Sequence, residues 1–192
     1  MKRSLIPLCA ARLGALLASA CLLVACSGSG VDETALLASA QSYVDKQDYG
    51  AAVIQLKTVL QKSPDNRQAR LLLGRSLLET GDAVAAAVEL RKALDLGVNP
   101  SQVQPWLAKS VFAQGEMRQV VLQFAAVTLD DAEASADMKT TVATAFAALN
   151  ERDKALETVL SALKEWPQHV QAILLHARIK ASSDDVPGAL AL

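Results

Sequence analysis

His169 and His176 are the only histidines among the 192 residues, and their spacing is the first feature that could support chemistry. Side chains seven residues apart can share one face of a helix, an arrangement that metal sites use. The acids nearest in sequence, Glu165 and Asp184, lie outside that helix, so the spacing does not complete a metal site. We therefore predict one surface histidine, one packing histidine and no bound metal.

Two pairs of adjacent aspartates, Asp130–Asp131 and Asp184–Asp185, are the other candidates for acid chemistry. Both stand where helices are expected to begin or end, and there a carboxylate usually accepts a hydrogen bond from free backbone N–H groups. The sequence lacks the H-E-x-x-H, G-x-S-x-G and Walker motifs. We predict no catalytic residue and no cofactor, so the protein is not expected to be an enzyme. Trp106 and Trp166 are expected to pack between helices rather than to act as ligand platforms.

The N-terminal segment predicts a covalent modification at Cys26. Residues 1–25 begin with basic residues and continue into an apolar segment shorter than the roughly 20 residues needed to span a bilayer. The sequence Leu23-Val24-Ala25-Cys26 resembles the bacterial lipobox, at which lipid is attached to the cysteine and the preceding residues are removed. We therefore predict a lipoprotein signal peptide over 1–25, rather than an uncleaved transmembrane helix, and a lipidated Cys26 that opens a flexible tether over 26–32.

The same segment predicts where the protein is located. Cys9 and Cys21 leave with the signal peptide, so the mature chain would have no free thiol and no disulfide. Ser27, and not an aspartate, follows the lipidated cysteine, and by resemblance to enterobacterial sorting rules this favours the outer membrane. The expected location is the cell envelope, with the protein anchored by lipid and facing the periplasm.

Composition indicates an all-α protein and argues against nucleic-acid binding. Hydrophobic residues make up 52% of the chain and aromatic residues only 4%, with alanine and leucine dominant. The formal net charge is −1, and removal of residues 1–25 takes away three basic residues and no acid, which leaves −4. A mildly acidic surface with few aromatic side chains is a poor partner for nucleic acid.

One pattern recurs with a fixed spacing of 34 residues. Its clearest copies lie between residues 48 and 100, where Ala52 aligns with Ala86 and Leu56 with Leu90. This period resembles that of the tetratricopeptide repeat (TPR), in which pairs of helices stack on one another. The resemblance implies an all-α solenoid of stacked antiparallel helix pairs forming a right-handed superhelix. The alternative is an ordinary four-helix bundle with accidental spacing.

The same alignment predicts a TPR array over residues 33–192. The predicted repeats are 33–66, 67–100, 101–134, 136–169 and a partial repeat over 170–192. The last residues are apolar, whereas natural solenoids end in a polar capping helix. We therefore expect the array to continue in a longer protein.

Glycine and proline are expected to mark the turns. Gly81 separates the two helices of the second repeat, and Asp82 caps the helix that follows. Pro64 ends the second helix of the first repeat, because proline cannot donate a backbone hydrogen bond. Pro105 is expected in the first turn of its helix, where proline is tolerated. Gly74 is expected where two helices cross closely.

Apolar residues at helical spacing predict the buried face of each helix. The second helix of the first repeat is predicted over Tyr49–Lys62. The other predicted buried stripes are Leu36, Ala40 and Tyr43; Leu107, Ala108 and Val111; Val120, Phe124 and Val127; Val142, Ala143 and Phe146; Ala155, Val159 and Ala162; and Ile173 with Ala177.

The amino-acid sequence of the repeats adds a more specific resemblance. The segments DYGAAVIQLKTVLQKSPDNRQARLLLGRSLLETGD, AVELRKALDLGVNP and WLAKSVFAQGE, behind a lipobox, resemble the N-terminal part of the PrsT family of TPR lipoproteins. That family belongs to exosortase/PEP-CTERM systems of Gram-negative bacteria, which serve protein sorting and exopolysaccharide export. The resemblance implies a lipid-anchored scaffold for protein partners. The alternative is an assembly factor that contacts the polysaccharide or its synthase.

The TPR resemblance also implies contact residues. In TPR proteins the ligand usually contacts a concave face formed by the first helix of each repeat. The inward positions would be Gln41, Arg75, Lys109 and Thr144, with Leu37, Leu71 and Phe112 beside them. Arg75 and Lys109 would together hold a peptide carboxylate or an anionic sugar. The family's chaperone-tail clamp needs Asn and Lys at further positions that are absent here, and a merely solvated basic pair is the alternative.

Overall fold

A computed structural model describes residues 32–182, which form nine α-helices and no β-strand. The helices are α1 (Glu33–Asp45), α2 (Tyr49–Lys62), α3 (Arg67–Glu79), α4 (Ala83–Asp95), α5 (Pro100–Ala113), α6 (Met117–Phe124), α7 (Ala132–Ala148), α8 (Arg152–Glu165) and α9 (Val170–Ala181). The predicted signal peptide, Cys26, the tether up to residue 31 and the pair Asp184–Asp185 lie outside the described residues. None of the described helices is long and apolar enough to cross a lipid bilayer.

The helices pack in a regular order along the chain. Each odd-numbered helix packs against the even-numbered helix after it and against the next odd-numbered helix, and each even-numbered helix packs against the odd-numbered helix after it. Within residues 32–182, no helix contacts one that is more than two positions away. A four-helix bundle would bring its first and fourth helices together around one core. The arrangement is therefore a helical solenoid, and the bundle alternative is excluded.

A residue in the left-handed conformation closes the turn inside each helix pair. The φ angle is 59° at Gln47, 89° at Gly81, 82° at Gly115 and 62° at Asn150. These residues follow one another at about the spacing of the repeat. A side chain in this conformation costs roughly 1–2 kcal/mol, which glycine avoids. The predicted role of Gly81 as a break between two helices is confirmed, and two of the four turns reach the same geometry without glycine.

Acidic residues precede the helices that follow these turns. Asp48 and Asp82 accept hydrogen bonds of 3.1 and 3.0 Å from backbone N–H groups three residues on, which satisfies a donor left free at a helix start. Glu116 and Glu151 hold the equivalent positions before α6 and α8 but form no capping hydrogen bond. The predicted cap at Asp82 is therefore present, and two of the four equivalent helices lack one.

Small residues lie where the helices of a pair cross. Four equivalent positions in the odd-numbered helices carry a small buried residue: Ala40, Gly74, Ala108 and Ala143. A Cβ atom at Gly74 would lie 2.5 Å from Leu90 Cγ and 3.2 Å from the carbonyl oxygen of Ala86. Because these distances leave no room for a methyl group, the predicted close crossing at Gly74 is confirmed.

Apolar side chains form two groups of core residues, one among α1–α4 and one reaching from α3 to α9. The residues aligned by the 34-residue period, Ala52 with Ala86 and Leu56 with Leu90, are all 0% exposed. The predicted stripes of α5, α7 and α8 are buried throughout. Equivalent positions therefore supply the interior of successive pairs, as the period predicts.

Pro105 is not in the first turn of its helix, so that prediction was wrong. The helix α5 begins at Pro100 and is capped by Asn99, which accepts a 2.8 Å hydrogen bond from the Ser101 N–H. Proline is favoured at a first helical position, so Pro100 takes that place and Pro105 becomes a buried residue inside the helix. Pro105 cannot donate to the Ser101 carbonyl, which weakens the ladder of backbone bonds there.

The helix α6 is shorter than predicted. It ends at Phe124 after eight residues, and Val127 lies outside it and is half-buried. Val127 and Thr128 are β-branched and disfavour helix. Asp131 caps α7 by accepting a 2.8 Å hydrogen bond from the Ala134 N–H, so the residues between Phe124 and Asp131 form the connection.

Two buried stripes differ from the prediction. In α1, Val44 is buried, whereas the predicted Tyr43 is only half-buried. In α9, the predicted Ile173 and Ala177 are half-buried. The residues that α9 buries are Ala172, Leu175, His176 and Ile179. Within the described part, α9 packs only against α7 and α8. The face that carries Ile173 and Ala177 is therefore not covered by a described helix.

Two ion pairs join the helices of a pair. Arg70 of α3 pairs with Glu89 of α4, and Lys139 of α7 lies 2.5 Å from Glu165 of α8. Burial alone would raise the pKa of Glu89, but hydrogen bonds from Arg70 and Lys92 outweigh it and hold that pKa below its ordinary value. The hydrogen bond from Lys139 lowers the pKa of Glu165 in the same way.

Candidate functional site

The odd-numbered helices line an open groove of about 480 Å³, which we name the odd-helix groove. Its lining includes Gln41 of α1, Arg75 of α3, Trp106 of α5, Glu133 and Asp137 of α7, and His169 before α9. A concavity of about 610 Å³ is lined by residues 150–154 of the α7–α8 turn, and another of about 480 Å³ lies beside the short α6. The odd-helix groove gathers side chains from the largest number of helices, so it is the candidate site.

Trp106 lines the groove and contacts two cations. The Arg75 guanidinium carbon lies 4.6 Å from the centre of its indole ring, and the Lys109 ammonium lies 4.9 Å from it. A cation over an aromatic face is attracted by the negative charge of the ring face. Trp106 is also partly buried against the core, so the ring is held in place by packing and orients both cations.

Arg75 has no acidic partner among the described residues. Its Nε atom is buried and forms no hydrogen bond, and the side chain is half-buried. Buried polar groups are nearly always hydrogen-bonded, and an unsatisfied charged group is costly. Among the described residues, no carboxylate therefore neutralises the charge of this guanidinium.

Lys109 is paired within the protein. Its ammonium lies 2.6 Å from Asp137 Oδ2, and both side chains are only partly exposed. The other oxygen of the same carboxylate, Oδ1, lies 3.6 Å from His169 Nε2. The three residues come from α5, from α7 and from the residue before α9, so Asp137 links three consecutive parts of the groove.

His169 connects the groove to the backbone of α9. Its Nδ1 accepts a 3.1 Å hydrogen bond from the Ala172 N–H and caps the helix. With Nδ1 acting as the acceptor, a neutral ring carries its proton on Nε2, which faces Asp137. The position and tautomer of this ring are therefore fixed by the start of α9.

The four residues predicted to face a ligand are not all together. Gln41 and Arg75 line the groove, and the Gln41 amide donates a 2.8 Å hydrogen bond to Asp45. Lys109 does not line the groove but meets Arg75 at the ring of Trp106. Thr144 donates a 2.8 Å hydrogen bond to the Thr140 carbonyl and does not line the groove. Of the neighbouring apolar residues, Leu71 lines the groove, whereas Leu37 and Phe112 pack against the core groups.

Sequence reasoning missed three residues of the site: Trp106, Asp137 and His169. Trp106 was expected only to pack, yet it packs and also contacts both predicted cations. Its place three residues before Lys109 on one helix is the signal that could have revealed this. Trp166 follows the last residue of α8 and is 39% exposed, so the prediction that it packs between helices was wrong, and it does not line the groove.

Neither histidine is a surface residue, so the prediction of one surface histidine was wrong. The His169 side chain is 10% exposed and His176 is 6% exposed. Burial lowers the pKa of His176, and the nearby charge of Lys180 lowers it further. No three or more His, Cys, Asp or Glu side chains of residues 32–182 are grouped so that they could hold a metal ion.

Comparisons with known proteins identify the fold. Residues 37–97, from α1 to the glycine after α4, match the family model described as Tetratricopeptide repeat. The crystal structure of MamA protein superposes with a TM-score of 0.67 at 20% identity, over 83% of this chain and 86% of that one. The described helices have the TPR fold.

Other TPR structures agree. TTC0263 from Thermus thermophilus, described as a thermophilic TPR protein, gives a TM-score of 0.65 at 19% identity, over 83% of this chain and 87% of that one. YrrB, described as a TPR protein with an unusual peptide-binding site, gives a TM-score of 0.62 at 16% identity, over 83% of this chain and 82% of that one. At these identities the likeness shows the TPR fold alone. Among curated proteins, none matches the sequence.

Proposed function

We propose that the TPR array is a protein–protein interaction scaffold whose odd-helix groove binds a segment of a partner protein. The observation that carries this proposal is Arg75, a half-buried guanidinium against the ring of Trp106 whose buried Nε has no hydrogen-bond partner among the described residues. A groove open along several helices suits an extended segment better than a small molecule, which usually needs an enclosed pocket. The peptide-binding site described for YrrB, which has the same fold, supports the proposal.

An enzymatic role receives less support. Arg75 and His169 in the groove, and Lys109 beside it, are engaged in cation–aromatic contacts, an ion pair and a helix cap, and no hydrogen bond among the described residues activates a serine hydroxyl of the groove. Scaffolding is therefore the function that this chemistry supports best, with affinity supplied by a long surface.

We further propose that the scaffold is anchored by lipid on Cys26 in a Gram-negative cell envelope, facing the periplasm at the outer membrane. The lipobox resemblance of residues 23–26 supports the anchor. The resemblance of the repeats to the PrsT family supports a role in PEP-CTERM/exosortase sorting or exopolysaccharide export. Several acyl chains on one residue bind a bilayer firmly, because each buried CH₂ contributes about 0.8 kcal/mol.

The groove is tested by crosslinking and pull-down from membranes with the double variant Arg75→Glu and Lys109→Glu. We expect the captured partner bands to be lost while helicity by circular dichroism is unchanged. The matched control is Arg67→Glu, which reverses an exposed charge at the start of α3 and does not line the groove. Retention of the same partners by the double variant would contradict the proposal.

The anchor is tested by fractionation of cells that express Cys26→Ser. We expect this variant to appear in the soluble fraction and the unchanged protein in the membrane fraction. Cys21→Ser is the control, because that cysteine lies inside the predicted signal peptide. A Cys26→Ser protein that stays with membranes would contradict lipid anchoring.

Direct contact with polysaccharide is the second candidate function. Arg75 favours it, because its guanidinium, held against Trp106, can pair with the carboxylate of an acidic sugar. This candidate predicts retention on immobilised anionic polysaccharide and loss of that retention in Trp106→Ala. If the protein passes through such a column while protein partners are captured, the scaffold is favoured.

A further inference from the structure

We propose that the odd-helix groove selects a peptide segment with a carboxylate at one end and a positively charged side chain about three to six residues away. This inference rests on the proposed function, since it names the ligand of the same groove. It follows from an uneven distribution of charge: the groove is lined by one cation on α3, unpaired among the described residues, and by acids at the start of α7.

Arg75 forms the positive end. Its guanidinium is held against Trp106 at 4.6 Å, and its buried Nε–H has no acceptor among residues 32–182. Gln41 and Gln68 line the groove on the same side and carry no charge. A carboxylate is the acceptor that best matches a guanidinium, because two parallel N–H groups can bind its two oxygens.

Lys109 does not add a second free cation. Its ammonium is 2.6 Å from Asp137, whose other oxygen faces His169 at 3.6 Å. The charge of Lys109 is therefore compensated inside the protein. A ligand with one carboxylate at this end is expected, rather than one with a cluster of acids.

Asp131 and Glu133 form the negative end. Both line the groove at the start of α7, both are exposed, and neither forms an ion pair with another described residue. One oxygen of Asp131 accepts the capping hydrogen bond from Ala134, which leaves the second oxygen available. Two carboxylates without a cation attract a lysine or arginine side chain of a ligand.

The spacing of the helices sets the spacing of the two ligand charges. The helices α3 and α7 flank α5, and packed helix axes lie about 8–10 Å apart. The Arg75 guanidinium reaches from α3 over Trp106 of α5, 4.6 Å from the ring centre, so the two charged ends of the groove are separated by between one and two such spacings, about 8–20 Å. An extended chain covers about 3.3–3.6 Å per residue, so about three to six residues separate the acid from the base.

The test uses the intrinsic fluorescence of Trp106 in the full chain. The sequence holds two tryptophans, so Trp166→Phe leaves Trp106 as the single reporter inside the groove. The probes are peptides with blocked ends that carry glutamate and arginine about three to six residues apart, in both orders, with glycine and serine between them. Matched peptides carry glutamine in place of either charged residue.

We expect one order of the charged peptide to change the Trp106 emission in a saturable way, and each neutralised peptide to bind about tenfold more weakly. In Arg75→Gln, replacing the glutamate of the peptide is expected to have no further effect. In the double variant Asp131→Asn and Glu133→Gln, replacing the arginine is expected to have no further effect. Asn is itself a good capping residue, so Asp131→Asn keeps the cap of α7.

The inference is overturned if the charged and neutralised peptides titrate alike, or if none of them changes the emission at millimolar concentration. Loss of partner capture in the Arg75→Glu and Lys109→Glu variant would then leave the scaffold function standing with a different ligand. If the double variant captures the same partners and no peptide changes the Trp106 emission, both proposals are contradicted.

Discussion

The ammonium of Lys109 lies 2.6 Å from Asp137 Oδ2, an ion pair that joins α5 to α7 beside the odd-helix groove, which Asp137 lines. The two side chains are 36% and 25% exposed, so solvent screens part of their attraction. The same carboxylate faces His169 at 3.6 Å. Asp137 is therefore both a link between helices and the group that sets how much positive charge the groove offers.

We predict a small coupling energy between Lys109 and Asp137. In a double-mutant cycle with Lys109→Met and Asp137→Asn, urea denaturation is expected to give a coupling of about 0.5–1 kcal/mol, because the pair is partly exposed. The pair Lys154 and Glu151, 2.6 Å apart and more exposed, is the control and is expected to couple less. Equal coupling energies in the two pairs would mean that partial burial does not strengthen the ion pair of Lys109 and Asp137.

Gly74→Ala is predicted to destabilise the fold by about 1–3 kcal/mol. The added Cβ would lie 2.5 Å from Leu90 Cγ and 3.2 Å from the Ala86 carbonyl oxygen, so helices α3 and α4 must move apart. Thermal denaturation followed by circular dichroism measures the loss.

Gly50→Ala is the matched control for this change. A Cβ at Gly50 meets nothing closer than 4.0 Å, and the residue lies in the first turn of α2. Alanine restricts the unfolded chain more than glycine does, so this variant is expected to gain about 0.4–1 kcal/mol. A Gly74→Ala protein as stable as Gly50→Ala would contradict the close crossing.

Asp82→Ala is predicted to cost about 1 kcal/mol of stability, because it removes the 3.0 Å capping hydrogen bond at the start of α4. Glu116→Ala, at the equivalent position before α6, removes no capping hydrogen bond and is expected to change stability far less. The two free energies of unfolding are compared by urea denaturation at about pH 7. Equal losses would show that the cap of Asp82 contributes nothing.

His176 is predicted to make stability depend on pH. Burial and the charge of Lys180 place its pKa in the folded protein below the ordinary value of 6.5. The unfolded chain therefore binds the proton more readily. The contribution of the neutral ring is fully present above about pH 6.5 and is lost as the pH falls through the folded pKa. We expect the free energy of unfolding, measured by urea denaturation between about pH 5 and 8, to fall below about pH 6.5.

His176→Leu is expected to remove this slope, since leucine fills a similar volume and does not titrate. The carboxylates with lowered pKa values, Glu89 and Glu165, titrate below their ordinary 4.5 and so lie outside this window. An undiminished slope in His176→Leu would assign the effect to another group.

The helices were predictable where local signals agreed. The helix α2 runs over Tyr49–Lys62 as predicted, because Asp48 caps its start and Pro64 prevents its continuation. The end of α6 was not predicted, because its 34-residue alignment with α4 outweighed the weak helix preference of Val127 and Thr128. The start of α5 was missed because the repeat alignment assigned Pro100 to the end of the second repeat, whereas Pro100 is the first residue of α5.

The site was less predictable than the fold. Its two cations were found by alignment with the repeat, but the contact of Arg75 with Trp106 depends on how α3 and α5 cross, which single residues do not specify. The partnership of Asp137 with Lys109 and His169 likewise joins residues 28 or more positions apart. Periodicity predicts that Gln41 and Arg75 are equivalent, and both line the groove, but it does not predict which side chains contact each other there.

Contacts limited to neighbouring helices also bear on how the chain acquires its structure. Since no described helix meets one more than two places along, every contact closes a short loop, and the loss of entropy on closure is small at each step. Proteins of low contact order reach the native state quickly. Nucleation can begin at any helix hairpin and spread in both directions, so synthesis on the ribosome need not finish before the first pairs are in place.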